Sequence, residues 1–227
     1  LEVTITVAGD VVVAPASVSV AGNALSATFS VKASAKTGTG KLTAASSAGA
    51  TSADVTIVDP ATLSFDLSGY SVAQTNGAKT FAIPSGSKIG AGTTLIIARN
   101  AKQADFETYW KGKLPAGTVY VDAADKFIVI NGDETYTLTD AGGANVDGPT
   151  VAMKAGGGDA MQRKQPIGKP GDAASWTILD GAPGKSTPGT GCAIGGDGVF
   201  ISEFSDASGT GAFAYEYVEI CFSGPKP

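Results

Sequence analysis

The chain has 227 residues, 31 of them glycine, with 43% apolar and 16% charged side chains and no histidine. That length suffices for one or two domains with a buried core, and the apolar fraction excludes a disordered chain. Lack of histidine excludes a Ser-His-Asp triad, a Cys-His dyad and an imidazole zinc site, and a net charge of −5 argues against a nucleic-acid partner.

Residues 1–59 read as strands throughout. Leu1, Val3, Ile5 and Val7 alternate with Glu2, Thr4 and Thr6, giving one apolar face. Val11 to Val13 and Val18 to Val20 are short strands, and Gly22-Asn23 is a turn. Leu25, Ala27, Phe29 and Val31 alternate again. Gly38-Thr39-Gly40 reads as a turn into Leu42, and Val55 to Val58 closes the segment. Asp59-Pro60 breaks the pattern and marks a domain boundary.

Residues 60–227 form a second, larger unit. Strands are expected at Leu63 to Leu67, Tyr70 to Val72, Thr80 to Ile83 and Thr93 to Ala98, the last apolar enough to be buried on both faces. A short helix is expected over Lys102 to Trp110, ended by Pro115-Ala116-Gly117, with Phe106, Tyr109 and Trp110 on one side. Strands resume at Thr118 to Val121 and Phe127 to Asn131, and Asn131-Gly132-Asp133 turns into Thr135 to Thr139. A short strand at Val151 to Met153 precedes a long loop, 155–175, around a strand at Met161 to Lys164. Gly/Pro-rich residues 181–198 lead to two clear strands, Val199 to Phe204 and Tyr215 to Phe222. The class is therefore all-β: two tandem sandwiches, the second with one short helix.

Cys192 and Cys221 are two buried thiols or one disulfide; an exported chain favours the bond, which adds about 3–4 kcal/mol on the loop-entropy model. No apolar run reaches the roughly 18 residues of a membrane helix. Leu1 opens directly into a strand pattern with no signal peptide, as in a mature or excised segment of a secreted or cell-surface protein.

Several groups bear chemistry. Glu203, Asp206, Glu216 and Glu219 cluster near the terminal hairpin; Glu203, Asp206 and Glu216 offer carboxylate oxygens for Ca²⁺, the one cofactor the sequence suggests, or a glycosidase pair, against the plainer reading of a solvated sheet face. Phe106, Tyr109, Trp110 and Lys111 form an aromatic platform for sugar or peptide, or else pin the helix to the sheet. Arg99, Lys102, Lys111 and Lys113 make a local basic patch, and Lys154, Arg163, Lys164 and Lys169 a second basic stretch. Gly156-Gly157-Gly158 and Gly195 to Gly198 lack phosphate-loop spacing and read as turns.

Two family resemblances accompany these readings. Val12 to Val20, Ala24 to Val31 and Asp54 to Val58 resemble bacterial Ig-like repeats, although 59 residues fall short of the roughly 100 of a full Ig sandwich. Asp66-Leu67-Ser68-Gly69-Tyr70-Ser71-Val72, Phe81 to Gly92, Leu95 to Asn100 and Gly132 to Asp140 resemble the lamin tail domain, and Ala173 to Trp176 and Ala182 to Gly189 fit its exit. In that family, segments like Val199 to Phe204 and Tyr215 to Ile220 come first. Here they come last, which implies a circular permutation within the chain or pairing with a neighbouring chain. The resemblance implies a non-catalytic role in contact with a protein or cell-surface polymer, or with copies of itself as a dimer or fibre. An accessory domain of a secreted hydrolase and a Ca²⁺-stabilised adhesin are the alternatives.

Overall fold

A computed structural model describes residues 1–34, 36–59, 62–74, 79–126, 129–130, 134–152, 158–165, 167–195 and 198–225. The chain divides into two compact units, Leu1–Asp59 and Pro60–Pro227, and both are built from strands.

The first unit contains β1 (Glu2–Ala8), β2 (Val12–Val13), β3 (Ser17–Ser19), β4 (Lys32–Ala33), β5 (Gly38–Ser46) and β6 (Gly49–Ile57). One sheet runs β3-β1-β5-β6, and β2 and β4 form a separate two-stranded ladder. Alternation along β1 turns Ile5 into the interior, where Val11 and Val12 are also buried. β5 and β6 make a long hairpin closed by two residues, Ser47 and Ala48, between the paired Ser46 and Gly49. Two expectations fail here. Gly38 to Gly40 is not a turn but the start of β5, paired with Val55 to Ile57. Glycine is required at 40, because a Cβ there would lie 2.6 Å from the Val11 side chain. Leu25 to Val31 forms no strand despite its alternation, and Leu25 is fully exposed. Strand preference needs a neighbouring ladder, and β4 offers only two residues.

The second unit contains β7 (Ser64–Asp66), β8 (Ser71–Gln74), β9 (Lys79–Ala82), β10 (Lys88–Gly90), β11 (Thr93–Ala98), α1 (Gln103–Trp110), β12 (Val119–Asp122), β13 (Tyr136–Thr139), β14 (Asn145–Asp147), β15 (Asp159–Arg163), β16 (Trp176–Asp180), β17 (Val199–Ser205) and β18 (Tyr217–Phe222). A six-stranded sheet runs β12-β11-β18-β17-β15-β16; a four-stranded sheet runs β14-β13-β8-β9; β10 and β7 pair separately. The core lies between the larger sheets: Leu95, Ile97, Ile201, Phe204, Val218 and Ile220 meet Val72, Tyr136 and Leu138. A second apolar cluster covers the opposite face of the six-stranded sheet, where Ile96, Ala98 and Tyr217 pack against Phe106 and Trp110 of α1. β11 is thus buried on both faces.

The two C-terminal strands sit inside their own chain's sheet. β18 lies antiparallel between β11 and β17, and β17 continues onto β15. The residues before β18 differ from expectation: Ala212–Tyr215 is a 3-10 turn and the strand starts at Tyr217. α1 ends at Lys111, which takes a left-handed φ of 55° and donates its N–H back to the last turn, so Pro115 is not the stop. Residues 151–152 and 129–130 are not strands, and β14 and β16 appear where none was expected. The expected turn Asn131-Gly132-Asp133, together with Phe127, Ile128, Met153, Lys154, Gly156, Gly157, Gly196 and Asp197, lies outside the described residues. Among the described residues no helix is long and apolar enough to cross a membrane.

Candidate functional site

The unusual chemistry of the second unit lies on the outer face of its six-stranded sheet. β18 sends Val218, Ile220 and Phe222 to the core, so Tyr217, Glu219 and Cys221 point the other way. A bulge in β17 between Ile201 and Glu203 puts Ser202 and Glu203 near that face, and Glu203 falls opposite Glu219 in register. Both glutamates are fully buried. They are covered by a strap, residues 181–192, which crosses the sheet from the end of β16. Its far end is fixed by a disulfide between Cys192 and Cys221. The expected bond is therefore present, and it fits an oxidising compartment outside the cytoplasm.

The strap supplies part of the glutamates' hydrogen bonding. Ser186 Oγ and Tyr217 OH lie against Glu203 Oε1, and Gln162 Nε2 donates to Oε2 at 3.0 Å. Ser202 Oγ donates to Glu219 Oε1 at 2.7 Å, and the Gly189 N–H donates to Oε2. Gly189 has a φ of +89°, and a Cβ there would strike Pro115 at 2.6 Å. A backbone donor can reach Glu219 only because this position has no side chain.

Among the described residues no ion pair reaches Glu203 or Glu219. Burial raises the Glu203 carboxyl above its ordinary range, against the pull of its hydrogen bonds. Burial, then the neighbouring Glu203 charge, pushes Glu219 up to about 8. Burial and the two glutamates raise the Tyr217 phenol as well. Burial and mutual repulsion thus favour the protonated form of the pair.

Glu203, Asp206 and Glu216 do not form the expected metal site. Among the described residues no three such side chains converge on a point. Glu203 belongs to the buried pair. The Asp206 carboxylate accepts the Gly158 N–H at 2.7 Å. Glu216 accepts from Arg99 at 2.9 Å and from the Ile130 N–H at 3.2 Å. Burial nevertheless pushes Glu216 up to about 7, opposed by the Arg99 bond and charge.

The aromatic platform is likewise corrected. Phe106 and Trp110 are buried against Tyr217, with ring centroids 5.4 Å away in each case. Tyr109 stacks on Tyr215 at 4.3 Å and donates its hydroxyl to the Ser208 carbonyl. These rings fasten the helix to the sheet, with Phe106 and Trp110 buried and Tyr109 half-buried. The stem of Lys111 lies against Gly184 of the strap. The basic patch around them is partly neutralised: Arg99 pairs with Glu216 and Asp125, and Lys113 pairs with Glu107.

Arg163 leaves the second basic stretch for the interior. It forms a buried pair with Asp147 of β14 at 3.1 Å, donates to the Gly168 carbonyl and lies 4.9 Å over the Trp176 ring. A cleft of about 410 Å³ opens beside it, walled by Phe65, Tyr70, Asp140 and Phe200. Compared with models of protein families, with curated proteins and with solved structures, the chain matches none.

Proposed function

We propose that this chain is a non-catalytic module of the cell exterior, secreted or surface-held, that contacts protein partners, including copies of itself, through open strand edges. The observation that carries this reading is β6. It spans nine residues at the edge of the first unit's sheet, is almost wholly exposed, and its only charge is Asp54. Natural edge strands are usually short, charged or covered, and a long bare edge is a template for an added strand. Beside it lies an apolar hollow of about 220 Å³ walled by Ile5, Phe29, Leu42, Ala44, Thr51 and Ala53. Leu25, Phe29 and Val31 extend the exposed apolar surface of this unit.

The second unit fits the same reading as a lamin-tail-like sandwich whose opening strand pair has moved to the C-terminus. The antiparallel β17–β18 pair beside β11 supports it. Burial of Glu203 and Glu219 under the strap favours a binding role over hydrolysis, because a catalytic carboxyl must reach its substrate.

Light scattering across a concentration series tests the edge. Wild type should gain mass as concentration rises. The double variant Thr51→Lys/Ala53→Lys, which places two charges on the exposed strand, should stay monomeric. A wild type that remains monomeric at the highest soluble concentration, or a variant that associates equally well, overturns the reading.

A further inference from the structure

The glutamate pair and the strap form one mechanical unit. The strap is hinged at Gly181, whose N–H donates to the Gly158 carbonyl at 2.6 Å and whose own carbonyl accepts the Ser208 N–H at 3.2 Å. At its other end the Cys192–Cys221 bond ties it to β18. Between these anchors, Ser186 bonds Glu203 and the Tyr217 hydroxyl, and the Gly189 N–H bonds Glu219, so two of the three contacts end on the carboxyls. Ser186, Pro188 and Gly189 are buried, whereas Gly184, Lys185, Thr187 and Thr190 face solvent.

We propose that residues 181–192 are a proton-held latch, closed while Glu203 and Glu219 are protonated and swinging out on both anchors once the pair ionises. The physical reason is the lack of compensation. Two carboxylates facing each other across adjacent strands repel, and each must be solvated or neutralised. Every surrounding element bears on this. β18 adds only the Tyr217 phenol, β15 the neutral Gln162, β17 the Ser202 hydroxyl and β11 the apolar Ile96. α1 brings Phe106 and Trp110 onto Tyr217. Its Lys111 stem rests on Gly184, and its Glu107 and Lys113 pair with each other. The strap's one charged residue, Lys185, is exposed, and at the hinge the Asp206 carboxylate is held by Gly158. No cation reaches the pair in the closed form among the described residues, so water is the remaining solvent for its charge. Lifting the strap admits water at the cost of the Ser186 bonds to Glu203 and Tyr217, the Gly189 bond to Glu219 and the burial of Pro188. The disulfide limits the excursion to a loop tethered at both ends.

Hydrogen exchange on the full chain, with the disulfide intact, tests the latch. Exchange of peptides covering 182–191 is followed from about pH 6 to about pH 9 and corrected for the intrinsic rate. One proton linked to opening gives about a tenfold loss of protection per pH unit once the pair begins to ionise. Wild type should show that loss in the strap, while β11, β17 and β18 stay protected. Glu219→Gln removes one charge, its amide oxygen still accepting the Gly189 N–H and its NH2 donating to a rotated Ser202 hydroxyl, and should move the loss of protection to higher pH; Glu203→Gln/Glu219→Gln, with both charges removed, should hold protection at about pH 9. The proposal fails if corrected strap protection in wild type is flat with pH. It fails equally if the strap opens only together with the sheet, or if Glu219→Gln opens as wild type does.

Discussion

Arg163 has a side chain only 1% exposed, and its charge is balanced by Asp147, which also accepts the Ile201 N–H at 3.0 Å. Removing one partner of such a pair leaves an unpaired charge in the interior, at a cost of about 3–5 kcal/mol. Arg163→Met should therefore lower the stability of the second unit by about that amount in urea unfolding, with the far-ultraviolet spectrum of the folded state unchanged. This pairing was not legible in the sequence. Arg163 reads as one of several solvated basic residues, because its partner sits on β14, a three-residue strand with no apolar alternation. Glu203 and Glu219 were legible as a carboxylate cluster but not as a buried one. Period-2 reading fails at the bulge beside Glu203, and nothing in the Gly/Pro-rich strap announces that its backbone will cover them. The cysteines were the exception, since two thiols alone in a chain have an obvious partner wherever the surroundings are oxidising.

At the scale of elements, legibility follows apolar density. β11, β17 and β18 are long, apolar and buried, and their sequences show it. β14 and β16 are short or largely exposed, and their neighbours set their strand character. Leu25 to Val31 shows the converse, a strand-like pattern without a ladder to join. The helix is legible from Phe106, Tyr109 and Trp110, but their purpose is not, because spacing alone gives a face and leaves open what covers it. In the fold that face meets Ile96, Ala98 and Tyr217. Phe106→Ala should accordingly cost about 3–5 kcal/mol of stability, as expected for a fully buried aromatic ring. Equilibrium denaturation measures this loss; an unchanged midpoint would mean that the ring is not part of the core.

Across the whole molecule, the buried acids set the direction of its pH response. Glu216 and Glu219 bind their protons more tightly in the fold than in the unfolded chain, where a glutamate titrates at about 4.5. Their contribution is full below that value and is lost as pH rises through about 7 and about 8. Asp66, held down by Ser68, and Glu107, held down by Lys113, act in the opposite sense and lose their contribution only on acidification. Stability should therefore peak near about pH 5 and decline into the alkaline range. The most direct test is the melting temperature of the second unit's transition, by calorimetry on the full chain, for wild type and Glu219→Gln between about pH 5 and about pH 9. A few kcal/mol shift a domain of this size by about 2–4 °C each. The buried pair thus predicts a fall of roughly 5–10 °C in wild type, and a clearly smaller one in Glu219→Gln. A wild-type melting temperature that stays level or climbs over this range would contradict it.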